Sequence, residues 1–308
     1  MTTVVLLTNE VELIDELRPA FAQVAPGLRV LEAHEAGANQ AEVAVCWFPP
    51  PGSLQALPCL RLIHSVSAGI EHLGEVTTLP GLPVCRVVDP EQRRGMVEFM
   101  RWAVIHYQRQ LDRVLDNQRR ALWHRPPQLT AGQFKVGVMG LGSMGSAVAR
   151  DLATAGYAVR GWSRNARVLP GVACHHGAGL HDFLSGLNLL INLLPLTPAT
   201  HHILDRDTFS ALAPAAVVIN AGRGQHVDAN DLASALRSGQ LRAALLDVFE
   251  QEPLAADHPW WSLPGLTLTP HMASAASMHS IALQVVENTR RLVAGEPLLN
   301  LVDPVQGY

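Results

Sequence analysis

The sequence predicts an α/β protein built from two parallel-sheet domains, and three observations carry that prediction. The chain has 308 residues, beyond the size at which one hydrophobic core keeps growing, so it should divide. Short apolar runs alternate with helix-length segments, the pattern of strands joined by crossover helices. The alternation occurs twice, and a long charged, amphipathic stretch separates the two series.

The first series has strand-like runs at 4–8, 28–31, 43–47, 61–65 and 83–88, with a helix over 11–24. From 91 to about 123 no Gly or Pro follows Gly95, and Phe99, Trp102, Ala103, His106, Leu111 and Leu115 recur among many charges. This reads as one amphipathic helix, closed by Pro126-Pro127. The second series opens at Lys135, with strands expected at 135–139, 158–162, 189–193, 216–220, 243–247 and 266–269. Its helices are expected to include 144–155, 205–212 and 228–236, and a last helix over about 274–294 leads into a tail containing Pro and Gly. No fixed-period repeat or low-complexity segment interrupts the chain.

Composition narrows the function classes. A net charge of −4 and the lack of a dense Lys/Arg stripe offer little to a phosphate backbone, so no nucleic-acid partner is expected. No apolar run approaches the roughly 18 residues of a membrane helix, because Asn188 and Asn192 interrupt even 187–195. With no secretory signal pattern at the N-terminus, no membrane partner is expected and a cytoplasmic location is. The four cysteines, Cys46, Cys59, Cys85 and Cys174, lack CxxC spacing, so neither disulfides nor zinc is expected. Cys46 and Cys85 sit in apolar runs and read as buried thiols. The adjacent pairs His175-His176 and His201-His202 do not share a helical face, and no metal site is expected.

The most specific local signal is Lys135-Val136-Gly137-Val138-Met139-Gly140-Leu141-Gly142-Ser143-Met144-Gly145, an apolar strand running through G-x-G-x-x-G into a helix. Gly140 permits the tight turn, Gly142 lets a pyrophosphate approach the backbone, and Gly145 lets helix and strand pack closely. The helix N-terminus adds N–H groups and the positive end of a dipole. The second series therefore reads as a Rossmann dinucleotide-binding domain. About 20 residues beyond the fingerprint, where an acidic residue would bind the ribose of NAD, stand Ser163 and Arg164, with Arg167 close behind. Guanidinium groups there attract a 2′-phosphate, so NADPH is the expected cofactor and NADH the weaker one.

Three further segments lie at the ends of predicted strands: Ile219-Asn220-Ala221-Gly222-Arg223-Gly224, Leu246-Asp247-Val248-Phe249-Glu250-Gln251-Glu252-Pro253 and Thr269-Pro270-His271. In open parallel sheets, ligands bind outside the carboxyl ends of the strands, where these segments would converge. Together they resemble the D-2-hydroxyacid dehydrogenase family, with its Arg in N-x-x-R-G, its Glu in D-V-F-x-x-E-P and its His in a T-P-H turn. Trp162-Ser163-Arg164, Ile191-Asn192-Leu193-Leu194-Pro195 and Ala121-Leu122-Trp123 are similar to the branch of bacterial glyoxylate/hydroxypyruvate reductases of the A type. Ser67-Ala68-Gly69-Ile70-Glu71-His72-Leu73 is similar to the loop with which the family holds a substrate carboxylate.

The resemblance implies a flavodoxin-like substrate domain formed by 1–89 and 278–308, and a dinucleotide domain over 90–277 that includes a dimerisation arm. It also assigns roles, each suited to the side chain. Arg223 would grip the carboxylate and carbonyl of a small 2-oxo acid. His271 would give the carbonyl oxygen a proton, and Glu252 would orient the imidazole and favour its charged form. Asp247 would bind the nicotinamide carboxamide, while Leu194, Pro195, Thr197 and Ala221 would border the cofactor. Ala68 and Gly69 would hold the substrate carboxylate by backbone N–H groups, and Trp47 would wall off the space beside the reacting carbon. The arm at 91–123 implies a homodimer in which Trp123 could reach the partner's site. One departure stands out: the family's P-H-x-G run is Pro270-His271-Met272-Ala273 here, leaving the backbone less free to approach the cofactor.

Two rival readings share some of these signals. A β-hydroxyacid dehydrogenase also carries a G-L-G-x-M-G run, but at its chain start and with a catalytic Lys. Here the run begins at Gly140, behind a complete α/β series. A nucleotide-sensing corepressor of the same fold would use a disordered recruiting tail, which the sequence does not show. A 2-hydroxyacid dehydrogenase for a larger substrate stays open.

Overall fold

The computed structural model describes residues 2–74 and 81–303. Residues 1, 75–80 and 304–308, which belong to the predicted substrate domain, lie outside the described residues. In chain order the elements are β1 (Thr3–Leu7), α1 (Val11–Val24), β2 (Arg29–Glu32), β3 (Val43–Cys46), β4 (Leu62–Ser65), β5 (Val84–Cys85), α2 (Pro90–Gln108) and α3 (Leu111–Arg119). Then come β6 (Lys135–Met139), α4 (Ser143–Thr154), β7 (Ala158–Ser163), β8 (Val172–His176), α5 (Leu180–Leu184), β9 (Leu189–Asn192), α6 (Arg206–Ala211) and β10 (Ala216–Asn220). The last are α7 (Ala229–Ser238), β11 (Leu241–Leu246), β12 (Leu266–Leu268) and α8 (Met278–Ala294).

These elements form two compact units, Met1–Gln92 with Ala275–Tyr308 and Arg93–Ser274. The fold class is the predicted one: two parallel-sheet α/β domains. In the first unit five parallel strands take the order β2-β1-β3-β4-β5, the flavodoxin-like order. β1, β3 and β4 are buried along their whole length, which is why they read as unbroken apolar runs. Ile14, Leu17 and Phe21 of α1 and Ile281, Ala282 and Val285 of α8 join one core over one sheet face. Cys46 and Cys85 are buried, and burial pushes both thiols up, Cys85 to about 12.

The second unit holds seven parallel strands in the order β12-β11-β10-β9-β6-β7-β8. Alternate residues feed opposite faces. Val136 and Val138 pack with α2 and α4, while Met139 packs with α5, α6 and α7. β6 lies between β7 and β9, so the strand order reverses beside the fingerprint strand.

Several sequence expectations need correction. The single helix over 91–123 is two helices: α2 ends at Gln108, and Gln110, in the left-handed region at φ 54°, starts α3, which ends at Arg119. The corner is fixed from outside the helix. Gln108 Nε2 donates to Leu129 O (2.8 Å), Arg109 Nε to Gln128 Oε1 (2.6 Å) and Gln110 Nε2 to Pro127 O (2.7 Å), so the segment around the Pro pair braces the corner rather than closing a helix. Asp112 at the start of α3 then pairs with Arg242 of β11. The expected strand 83–88 shrinks to Val84–Cys85, where residues 300–302 of the tail add antiparallel pairing. The last helix starts at Met278, because Ser277 caps it by accepting the Ser280 N–H (3.1 Å). β8 and α5 lie outside the sequence expectations; β8 is a half-exposed edge strand whose apolar run is only Val172, Ala173 and Cys174 before two histidines. Among the described residues no helix is long and apolar enough to cross a membrane.

Candidate active site

The second unit gathers most of the predicted site residues at one edge of its sheet, because parallel strands end on the same side. The turn after β6 shows why three glycines stand in the fingerprint. Gly140 lies at φ +92°, and a Cβ there would come within 2.6 Å of Leu193 O. A Cβ on Gly145 would lie 1.8 Å from Gly140 O, so only glycine lets α4 come this close. Gly142, the residue preceding α4, is different: a Cβ there meets no protein atom within 4 Å. The backbone is bare toward open space just where the first-turn N–H groups of Ser143, Met144 and Gly145 lack intrahelical partners. That cradle fits a pyrophosphate.

Leu141 is buried at the same turn, and Ser163 ends β7 with its hydroxyl donating to Asn165 O (2.8 Å). Arg164 and Arg167 follow on the exposed loop. Leu194, Pro195 and Thr197 follow β9, where Thr200 Oγ1 donates to Pro195 O (2.8 Å). Ala221 lies just past β10 and is buried.

Asp247, one residue past β11, is buried and organises the turn that carries His271. Its Oδ1 accepts from Thr269 Oγ1 (2.6 Å) and Met272 N–H (2.9 Å), and its Oδ2 from Ala273 N–H (2.9 Å). Its carbonyl accepts the His271 N–H (2.8 Å). These bonds hold His271 in the left-handed region at φ 50°, a backbone state uncommon for residues other than glycine.

His271 Nδ1 donates to Glu252 Oε2 at 2.7 Å, while Glu252 Oε1 accepts the Phe249 N–H (2.9 Å). Burial pushes the Glu252 carboxyl up. The bonds from His271 and Phe249 and the charges of His271 and Arg223 outweigh that effect and hold it below its ordinary value. Glu252 is therefore a carboxylate, which fixes the imidazole proton on Nδ1 and leaves Nε2 as the nitrogen that exchanges a proton outward. Arg223, half-buried after β10, turns Nη1 onto Gly222 O (2.6 Å). Gly224 beside it has no room for a side chain, since a Cβ would lie 1.9 Å from the Phe249 carbonyl carbon.

The first unit carries Trp47 just past β3, and Ala68 and Gly69 past β4. Trp47 Nε1 donates to Glu10 Oε1 (2.9 Å), and its ring packs on His72, centroids 4.6 Å apart. Ser65 and Ser67 organise the loop: the Ser67 N–H donates to Ser65 Oγ (3.0 Å) and the Gly69 N–H to Ser67 Oγ (3.2 Å). Among the described residues the Ala68 N–H meets no acceptor.

Sequence reasoning passed over three polar residues buried beneath the Arg223 loop: Asn192, Asn220 and His226. A signal was present, because asparagine ends two adjacent buried strands, β9 and β10, where an apolar residue would be the default.

The chain is similar to known proteins over nearly its whole length. The profile of the NAD binding domain of D-isomer specific 2-hydroxyacid dehydrogenases matches residues 102–273. The glyoxylate/hydroxypyruvate reductase A of Yersinia enterocolitica is 36% identical over 291 residues, 92% of this chain and 93% of that protein. A solved D-isomer specific 2-hydroxyacid dehydrogenase family protein from Klebsiella pneumoniae superposes with a TM-score of 0.94 at 44% identity, covering 99% of this chain and 98% of that one. The NADPH-dependent glyoxylate/hydroxypyruvate reductase of Sinorhizobium meliloti, solved with NADP and sulfate, superposes with a TM-score of 0.91 at 34% identity over 100% of both chains. On this evidence the chain belongs to the D-isomer specific 2-hydroxyacid dehydrogenase family.

Proposed function

We propose that this protein reduces small 2-oxo acids, glyoxylate and hydroxypyruvate, to glycolate and D-glycerate with NADPH. The observation that carries this reading is the 2.7 Å bond between His271 and a charged Glu252, at the edge of the sheet that holds the dinucleotide fingerprint and Arg223. Bound NADPH supplies the hydride. His271 Nε2 gives its proton to the carbonyl oxygen as the carbon–oxygen double bond opens, so the product is the neutral hydroxyl. Glu252 stabilises the imidazolium beforehand and keeps its ring in place. Arg223 presents a planar fork of donors to the carboxylate and carbonyl oxygens, a match that a lysine cannot copy.

Ala68 and Gly69 contribute backbone N–H groups to the carboxylate: the Ala68 N–H meets no acceptor among the described residues, which supports its role, while the Gly69 N–H would exchange its bond to Ser67 Oγ for the carboxylate. Trp47, clamped by Glu10 and His72, limits the substrate to two- and three-carbon 2-oxo acids. Arg164 and Arg167 take the 2′-phosphate. Ser163, the backbone from Gly140 to Gly145, Leu194, Pro195, Thr197, Ala221 and Asp247 line the rest of the cofactor. The working form is a homodimer through the arm formed by α2 and α3, with Trp123 extending toward the partner's site. That arm exposes Trp102, Ile105, Leu115 and Leu122, and Trp123 is fully exposed.

The test is kcat/KM with NADPH across glyoxylate, hydroxypyruvate, pyruvate, 2-oxoisocaproate and phenylpyruvate. Hydroxypyruvate and glyoxylate should lead the series. Phenylpyruvate or 2-oxoisocaproate at the top would refute the small-substrate reading.

A further inference from the structure

Under the Arg223 loop lies a closed set of hydrogen bonds among Asn192, Asn220 and His226, all without solvent exposure. Its polarity can be worked out from backbone groups, whose roles are fixed. The Gly222 N–H donates to Asn220 Oδ1 (3.2 Å), so Asn220 Nδ2 is the group that donates to Arg223 O (2.8 Å). Only an amino group can then face Asn220 Oδ1 from Asn192, and Asn192 Nδ2 does so at 2.9 Å. The second hydrogen of that amino group points at His226 Nδ1, 2.8 Å away. The same Nδ1 accepts the Arg223 N–H at 3.0 Å. An imidazole nitrogen that receives two N–H groups carries no proton of its own, so the ring is the neutral form protonated on Nε2, which donates to Pro195 O at 3.3 Å. Asn192 Oδ1 meanwhile accepts the Leu194 N–H (3.3 Å).

The consequence is specific. Both backbone groups of Arg223 are held by buried side chains, the N–H by His226 and the C=O by Asn220. The ring that holds the Arg223 N–H also holds the carbonyl of Pro195 in the loop after β9. We propose that His226 is a positioning residue that ties the Arg223 loop to the Leu194–Pro195 loop through its two ring nitrogens, Nδ1 setting the aim of the guanidinium and Nε2 the cofactor-side loop. The inference rests on the proposed roles of Arg223 and of the Leu194–Pro195 loop. Gly222 fits the same device, since a Cβ there would sit 2.9 Å from His226 Nδ1 and 3.0 Å from Leu194 O.

The two nitrogens can be tested separately because amide side chains copy one each. In His226→Asn the side-chain oxygen stands near the place of Nδ1, so the Arg223 N–H keeps an acceptor while Pro195 O loses the imidazole donor and keeps only Thr200 Oγ1. In His226→Gln the amino group reaches the place of Nε2, so Pro195 O keeps both of its donors and the Arg223 N–H loses its acceptor. A neutral hydrogen bond lost inside a protein changes an equilibrium by about threefold to tenfold. His226→Asn should therefore raise the Kd for NADPH by about that factor and leave KM for hydroxypyruvate near the parent value. His226→Gln should raise KM for hydroxypyruvate, lower kcat, and leave the Kd for NADPH nearly unchanged. His226→Leu should shift both.

Equal shifts of both constants in the Asn and Gln variants would overturn the proposal, and so would parent-like constants in a folded Leu variant. If none of the variants folds, hydrogen exchange of the parent decides: the Arg223 amide should be strongly protected, and exchange at the rate of an open loop would refute the tie. Arg223→Lys in the parent background separates the underlying reading. Unchanged reduction by that variant would refute the role given to Arg223, while the NADPH Kd and the amide exchange would still judge His226.

Discussion

His271 combines two features that rarely meet by chance: a strained backbone at φ 50° and a 2.7 Å bond from its ring to a charged carboxylate. The strain is maintained by the carboxylate and carbonyl of Asp247, so the turn is built to aim a ring. If that ring is the proton donor, His271→Gln should lower kcat by about 10² to 10⁴ while NADPH affinity stays near the parent value. Stopped-flow reduction of hydroxypyruvate and a fluorescence titration measure the two quantities, and full turnover in the variant would assign the proton to another group. Glu252→Gln tests the partner. The amide keeps the shape but leaves Nδ1 without its charged acceptor, so kcat should fall by about tenfold to a hundredfold while the Kd for NADPH stays near the parent value. The stability that Glu252 contributes depends on pH because its folded value is depressed: it is present above the ordinary carboxylate range and lost as pH falls through the depressed value. Arg164 carries a separate prediction. A charge-assisted bond is worth about 1.5 to 3 kcal/mol, so Arg164→Ala should cut the NADPH-over-NADH preference in kcat/KM by about tenfold to a hundredfold. An unchanged ratio would remove the 2′-phosphate from that loop.

Among elements, the β6–α4 junction separates folding from binding within one motif. A Cβ on Gly145 would overlap Gly140 O, whereas a Cβ on Gly142 would meet only open space. Gly145→Ala should therefore lower Tm and abolish NADPH binding together. Gly142→Ala should keep the parent Tm and lose NADPH affinity by at least tenfold, because the added methyl stands where the phosphates approach. Calorimetry with and without NADPH distinguishes the cases, and equal binding by Gly142→Ala and the parent would remove the pyrophosphate from this turn. The strength of this motif also explains its legibility: strand, glycine turn and helix occupy the expected residues because each is fixed by local sequence. The arm was less legible. Its amphipathic pattern runs through Arg109 and Gln110 without a glycine or proline, and only distant partners in 127–129 impose the corner. β8 is hard to read for a related reason, since an edge strand that is half exposed needs only a short apolar run, here three residues. The Asn192–Asn220–His226 set was hidden more deeply, as nothing in sequence spacing shows that residues 28 and 34 positions apart share one network.

For the whole molecule, the parallel order of both sheets and the family were readable from the sequence because the motifs occur in register with the alternation of elements. Assembly is where exposed surface speaks. Fully exposed Trp123, with Leu122, Trp102 and Ile105 exposed on the same arm, offers apolar side chains to a second copy. Sedimentation should give twice the mass of a 33.3 kDa chain, and Leu122→Glu with Trp102→Glu should shift it toward one chain. A parent that sediments as a monomer at micromolar concentration would leave the arm without a second copy.

The return of α8 to the first unit has a consequence for how the protein is made. Ile14, Leu17 and Phe21 on α1 leave the ribosome before the second unit is made, but the residues of α8 that complete their core, Ile281, Ala282 and Val285, follow only after it. At about 5 to 20 residues per second, translating the intervening segment 93–274 takes on the order of 10 to 40 s. This sheet is thus begun before the dinucleotide domain and finished after it, and through that interval its half-built core lies open on the nascent chain while the other domain is still being threaded out behind it.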